Sequence, residues 1–507
     1  MIEEPLSGEH AGPLVKACAQ ARVLMGAEDR FAEVAARAAD IPAGGQDALN
    51  ELSRRYDALK KNLQIEVGTL LKLDNVSFLL AAGCSMQMGG VGFGSIPYEV
   101  ERDLLDQGLG EDEPSPWLEL FYVAVKTIAD KEAESQTGIR KQLVEALATL
   151  GLDARRRAAE LRNESIPSEL EGTIDEPACH KHLFPINFER FLTTLYGWDA
   201  ALRSGAAKLQ LDDGSFVVPE HLAILILRLK LALAKACALP KDGRKPTTHE
   251  ALFRKLMTRP EKLRRVNLFT LNYDTLLEDA ADAAGVILLD GFLGSIRRVF
   301  RPESFGFDFY FPGSTTEGKV HRLDRVAHLY KLHGSINWYR ETPTEQNPFG
   351  IYSAIGKEAG SDALIFPTPV KQELATGVPY SEMFRRFSEA ICQPQSVLFI
   401  VGYGFGDDHV NAIIRQALLV PSFRLVVVSP SGESEFLQKL VECKDPRIWL
   451  LTGYPESAGR EALIGFGTFE AFVHNVLPDL QDESIRADML RTYRTLATAP
   501  EEDKQHE

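Results

Sequence analysis

The chain has 507 residues, a formal net charge of −16 and a pI near 5.3. With 45% hydrophobic and 25% charged residues it has the make-up of a soluble globular protein with core enough for about two to four domains. The acidic balance excludes free-standing, non-specific binding to nucleic-acid phosphates, which needs a basic surface. The six cysteines, Cys18, Cys84, Cys179, Cys237, Cys392 and Cys443, include no C-x-x-C pair, which suits reduced thiols and removes a zinc-ribbon reading. Cys179-His180-Lys181-His182 comes nearest to a metal cluster. Nothing nearby completes it at zinc spacing, so it reads as a surface loop and no metal is expected. The acidic start, Met1 to Pro5, is no signal peptide. The most apolar segment, Leu222 to Leu239, carries Arg228, Lys230 and Lys235, as a buried helix does and a membrane span does not. The expected location is the cytoplasm, away from membranes.

In chain order, residues 1–70 read as a helical extension, rich in Ala, Glu, Arg and Leu and broken at Ile41-Pro42-Ala43-Gly44-Gly45. Val76 to Ala82 is a nearly continuous apolar run, the mark of a buried strand. It enters Gly83-Cys84-Ser85 and then Gly89-Gly90-Val91-Gly92-Phe93-Gly94. Small residues there let backbone N–H groups approach a diphosphate, but the spacing is not G-x-G-x-x-G, and a Gly-rich surface loop fits the same residues. Residues 97–262 read as mostly helical, with Arg155-Arg156-Arg157 as a solvated helix face. This block is too long for a simple crossover and reads as a helical insertion.

Val266 to Leu271 is a second buried strand, stopped by Asn272-Tyr273-Asp274 before a helix over 275–284. Ligands of open α/β sheets bind outside the carboxyl ends of the strands, where an amide and a carboxylate two residues apart are well placed. A helix cap followed by an acidic first turn accounts for the same pair. Ala327 to Leu332 is a third strand, ending in His333-Gly334 with Trp338 close behind; His333 alone fits a structural turn histidine. Further apolar runs follow at Ala363–Pro367, Ser396–Val401, Leu425–Val428 and Trp449–Leu451. The run at 396–401 ends in Gly402-Tyr403-Gly404-Phe405-Gly406-Asp407-Asp408, with a helix over 410–419. Apolar strands alternating with helices predict an α/β fold: a Rossmann-like parallel sheet with helices on both faces. The domain it forms spans 71–455, with the helical insertion at about 97–262. Residues 456–507 read as a C-terminal helix and a polar tail from Thr498.

Ala82-Gly83-Cys84-Ser85, Thr270-Leu271-Asn272-Tyr273-Asp274, His333-Gly334-Ser335-Ile336-Asn337-Trp338 and Gly402-Tyr403-Gly404 together resemble, in order and character, the sirtuin (silent information regulator 2) family. That family has a Gly-Ala-Gly-x-Ser loop, then Thr-Gln-Asn-x-Asp, a catalytic His-Gly and a Gly-containing strand end. The resemblance covers about 75–95 and 265–430. The four-cysteine zinc module of protein-deacylating sirtuins is absent from this sequence, and so is their Pro-Asp-Phe-Arg segment. Leu271 to Asp274, Lys331 to Trp338 and Val401 to Gly404 look more like the bacterial sirtuin-like domains of anti-phage defence systems.

That branch hydrolyses NAD+ and depletes it in abortive infection, so the resemblance implies an NAD+ glycohydrolase (NADase) with NAD+ as substrate. It also implies a homo-oligomer, with a HerA-type partner ATPase, an Argonaute-type protein or a phage-derived trigger as possible partners. Carried over, Asn272 orients the attacking water or the ribose hydroxyls and His333 is the general base. Asp274 fixes the nicotinamide or ribose side. Ala82, Gly83, Cys84 and Ser85 belong to the diphosphate loop, and Gly402, Tyr403 and Ser429 to the adenosine half. An NAD-dependent deacylase, a non-catalytic NAD or ADP-ribose sensor and a partner-binding scaffold are the competing readings.

Overall fold

The computed structural model describes residues 8–40, 46–90, 188–206, 216–311, 321–354, 377–458 and 462–481, with the isolated positions 120, 121, 124 and 208. The 91–94 end of the first Gly-rich stretch, the run at 155–157, Cys179 to His182, the run at 363–367 and the tail from Thr498 lie outside the described residues.

The apolar runs form a nine-stranded sheet. Its strands in chain order are β1 (Arg22–Met25), β2 (Glu28–Asp29), β3 (Asn75–Leu80), β4 (Asn267–Thr270), β5 (Ile287–Leu289), β6 (Val326–Lys331), β7 (Ser396–Val401), β8 (Arg424–Val428) and β9 (Ile448–Thr452). Across the sheet they run β2-β1-β9-β8-β7-β3-β4-β6-β5. The seven from β9 to β5 are parallel. A parallel sheet is buried on both faces, which is why these strands are continuously apolar instead of alternating. Successive side chains still part to opposite sides. Val76, Phe78 and Leu80 of β3, with Val397, Phe399 and Val401 of β7, enter one core. Leu79, Leu398 and Ile400 enter the other.

The first core is closed by helices α1 (Gly8–Gln20), α2 (Ala32–Ala39), α3 (Gln46–Leu70), α6 (Thr247–Leu256) and α7 (Leu276–Ala284). Among the described residues of the 97–262 block, helices α4 (Phe188–Arg203) and α5 (Pro219–Cys237) precede α6. The second core lies under α8 (Tyr380–Ile391), α9 (Asp408–Leu418), α10 (Glu435–Glu442) and a small antiparallel sheet that contributes Phe292, Phe300 and Trp338. Phe78 and Phe399 stack at 4.8 Å on neighbouring central strands; truncating either to Ala would cost about 3–5 kcal/mol.

Two expectations for the chain ends are corrected. Residues 1–70 are not wholly helical: β1 and β2 form an antiparallel hairpin that lengthens the sheet through β9. Val23 and Met25 of β1 are buried in the same core as α1 to α3, so this segment is part of the α/β body. From 456 to 481 the described residues form a short antiparallel hairpin followed by one turn of helix and a π-helical turn ending at Val476, in place of an amphipathic helix, and residues 482–507 lie outside the described residues. Phe466, Phe469 and Phe472 anchor it under the sheet.

Candidate active site

From β3 the chain proceeds to β4, β5 and β6 on one side of the sheet, then crosses to β7, β8 and β9 on the other. The boundary between β3 and β7 is therefore the topological switch point, where an open α/β sheet leaves a crevice beyond its carboxyl ends. The first residues past those ends are in backbone contact. Gly83 N–H donates to Gly402 O at 3.0 Å, and a Cβ on Gly83 would lie 2.5 Å from Gly402 Cα. Gly402 has φ +68°, in the left-handed region open to glycine.

A cleft of about 270 Å³ opens there, bordered by Ala82, Ser85, Asn272, Asp274, His333 and Asp407, among other residues. Four strand ends thus meet in one place, the outermost two in contact across 317 residues of sequence. Asn272 Nδ2 donates to Ala81 O at 3.1 Å and to Ser85 Oγ at 2.8 Å. A carbonyl only accepts, so these contacts fix which way the amide faces and leave Oδ1 with no hydrogen bond to a described residue. Ser85 Oγ donates to Asp274 Oδ2 at 2.7 Å, and Asp274 Oδ1 accepts the Leu276 N–H at 3.1 Å. Asp274 is neither the cap nor in the first turn of α7: it stands one residue before the N-cap, Thr275, and tethers the start of the helix through Leu276 while its carboxylate borders the cleft. Asn272 is no cap; its amide ties β4 to β3.

Beneath this triad lies a buried cation. Lys331, the last residue of β6 and 2% exposed, donates to Asp274 O and pairs with Glu278 Oε1 at 2.9 Å. Burial pushes the Glu278 carboxyl up, and the Lys331 ammonium opposes that shift. Two residues on, His333 Nε2 is 2.9 Å from Asp407 Oδ2.

Of the residues predicted for the site, Ala82, Ser85, Asn272, Asp274, His333, Gly402 and Tyr403 border the cleft. Gly83, Cys84 and Ser429 do not. Gly83 packs on Gly402. Cys84 is buried with its Sγ directed to Val401 O at 3.3 Å, and burial pushes its thiol far up. Ser429 sits past β8, where its Oγ accepts the Gly432 N–H. The sequence reading missed Asp407 and the wall formed by Ala236, Cys237 and Leu239 at the end of α5. The chain just after that wall is docked on the Gly89 turn: Lys241 N–H donates to Met88 O at 3.0 Å and Arg244 Nη1 to Gln87 O at 2.6 Å. The 97–262 block therefore supplies part of the cleft itself. Among the described residues no group of three or more metal-binding side chains occurs, and no helix is long and apolar enough to cross a membrane.

A Rossmann-like α/β sheet whose switch-point cleft gathers an amide, a carboxylate and an imidazole is the framework of a nucleotide-using enzyme. Residues 266–442 match the SIR2-like domain family. The chain carries a sirtuin-like domain, the class of fold that uses NAD. The match begins at β4; the structure adds β3 and Ser85, which lie outside the matched segment yet occupy the centre of the same sheet. A comparison with curated proteins gave no match.

Proposed function

We propose that the protein is an NAD+ hydrolase that cleaves the nicotinamide–ribose bond to release nicotinamide and ADP-ribose, and that it acts as an anti-phage effector by depleting NAD+. The observation that carries the reading is the meeting of Asn272, Asp274 and His333 in one switch-point cleft of a SIR2-like domain. Nicotinamide leaves a cationic precursor as a neutral molecule, so departure needs no general acid. The transition state resembles an oxocarbenium ion, as in glycoside hydrolysis. What the protein must supply is a held ribose, a restricted water and a proton acceptor.

In this chemistry Asn272 Oδ1 accepts from the attacking water or a ribose hydroxyl without bringing a full charge. Asp274 sets a negative charge in the wall beside the developing ribosyl cation. His333 takes the proton, a contribution of roughly 10²–10⁴ in rate. Ala82, Ser85 and Gly90 line the side of the cleft available to the diphosphate, and Gly402, Tyr403 and Gly404 the adjoining side. Assembly into a homo-oligomer and activation by a partner ATPase, an Argonaute-type protein or a phage component belong to the same proposal, since an NADase that was always active would kill its host.

The test is product identity. Purified protein is incubated with NAD+, with and without an acetyl-lysine peptide, and the products are separated by chromatography. Free ADP-ribose in both reactions supports the hydrolase. O-acetyl-ADP-ribose formed only with the peptide would replace it with a deacylase.

A further inference from the structure

We propose that Asp407 is a positioning residue that fixes the tautomer of His333, leaving Nδ1 as the proton acceptor of the cleft. The catalytic consequence rests on the NAD-cleaving reading above; the tautomer itself rests on geometry. Asp407 Oδ2 lies 2.9 Å from His333 Nε2. A carboxylate accepts and does not donate, so Nε2 carries the hydrogen, and in a neutral imidazole the other ring nitrogen is then the acceptor. His333 Nδ1 makes no hydrogen bond to a described residue, and the side chain borders the cleft.

Asp407 is itself held from two sides. Its Oδ1 caps α9, accepting the N–H groups of His409 at 2.9 Å and Val410 at 3.3 Å. Its backbone N–H donates to the Tyr403 hydroxyl at 3.1 Å, and that hydroxyl also lies 3.2 Å from Asn411 Oδ1. Asn411 Nδ2 in turn donates to the carbonyl of Phe405, which has φ +58°. That conformation is rare for a bulky residue and persists only where its surroundings enforce it. Tyr403, Asp407 and Asn411 are all buried. The turn after β7 is thus built around the placement of one carboxylate, with one oxygen used by the helix and the other by the histidine.

Asp407→Asn tests this. Asn caps helices as well as Asp does, so its Oδ1 keeps both backbone N–H groups. Its NH₂ then faces Nε2, which must become the acceptor, and the proton moves to Nδ1. Full-length protein carrying ¹⁵N-labelled histidine is compared by NMR before and after the substitution, with the His333 signals identified by their loss in His333→Gln. The expected result is a protonated Nε2 in the wild type and a protonated Nδ1 in Asp407→Asn. Nicotinamide release should fall by about 10²–10⁴-fold with the Kd for NAD+ unchanged. A protonated Nδ1 in the wild type, or one tautomer shared by both proteins, overturns the proposal. If Asp407→Asn does not fold, Asp407→Ser keeps a capping oxygen but loses the reach to the ring. A mixture of tautomers supports the proposal, and retention of the single wild-type tautomer refutes it. The expected tautomers in a wild type that leaves NAD+ intact both in the tube and in cells under phage challenge would support the pairing and remove the hydrolase.

Discussion

Replacing Gly83 by alanine probes the contact on which the cleft is built. The new Cβ would lie 2.5 Å from Gly402 Cα, 3.1 Å from its oxygen and 3.2 Å from its carbonyl carbon, whereas carbon atoms in contact prefer about 3.5–4.0 Å. All three are backbone atoms of the adjoining strand end, so no flexible side chain can yield. The overlap must be relieved by parting the ends of β3 and β7, which also stretches the 3.0 Å bond from Gly83 N–H to Gly402 O. Overpacking of this kind costs roughly 1–3 kcal/mol and the weakened hydrogen bond about 1 more, or about 2–4 in sum. Gly402→Ala adds a left-handed φ, for about 1–2 kcal/mol beyond that. Gly404, two residues on, is the control: nothing lies within 4 Å of a Cβ built there, yet it borders the cleft. Gly404→Ala should hold stability within about 0.5 kcal/mol while weakening NAD+ binding. Urea unfolding followed by tryptophan fluorescence measures the first effect and calorimetric titration the second. Wild-type stability in Gly83→Ala would refute the backbone contact at the switch point.

Three further outcomes are expected. Lys331→Met leaves the Glu278 carboxyl buried without its counter-charge and should cost about 3–5 kcal/mol near neutral pH. Because burial pushes the folded-state Glu278 up, the folded variant takes up the proton before the unfolded chain does. The deficit should therefore shrink as the pH falls toward the carboxylate range, and unfolding curves showing a pH-independent deficit would contradict this. At Asp308, burial raises the carboxyl, but hydrogen bonds from Arg265, the Phe309 N–H and Arg322 outweigh it and hold it below the usual range. Its contribution is present above the unfolded value near 3.8 and lost as the pH falls through the lower folded value. Asp308→Asn should lose about 1–3 kcal/mol at neutral pH and part of the wild type's acid sensitivity, as read from unfolding midpoints across pH. Iodoacetamide should spare buried Cys84 and modify exposed Cys443 faster than half-buried Cys237, whose thiol burial pushes up to about 12. Mass-spectrometric mapping that finds Cys237 modified as fast as Cys443 would contradict this.

The central strands were legible because a strand buried on both faces must be largely apolar, as β3, β7 and β8 are apart from Asn75, Ser77, Ser396 and Arg424. The ends of those strands were legible for the converse reason: Ser85, Asn272, Asp274 and His333 are polar residues set directly after apolar runs. Contacts that depend on two distant segments left no local trace. Asp407 and His333 are 74 residues apart, and within its own loop Asp407 shows only the pattern of a helix cap. Gly83 looks like a phosphate-loop glycine, and only its neighbour across the sheet reveals the packing demand. Hairpin β1–β2 is too short, and too closely flanked by helices, for its alternation to stand out. The α5 wall of the cleft is ordinary apolar helix in sequence; its docking against the turn at Gly89 is what gives Ala236, Cys237 and Leu239 a place in the site.

The most direct measurement is nicotinamide release from NAD+ by the purified full-length protein, alongside Asn272→Ala and His333→Ala, in the tube and in cells under phage challenge. Release by the wild type, with loss of at least about 10²-fold in both folded variants, is the predicted result. NAD+ loss confined to infected cells, and abolished by both substitutions, would place the trigger outside the chain and keep the cleft as the catalyst. Wild-type protein that binds NAD+ but leaves it intact in both settings, or variants that release nicotinamide as fast as the wild type, would contradict the NAD+ hydrolase.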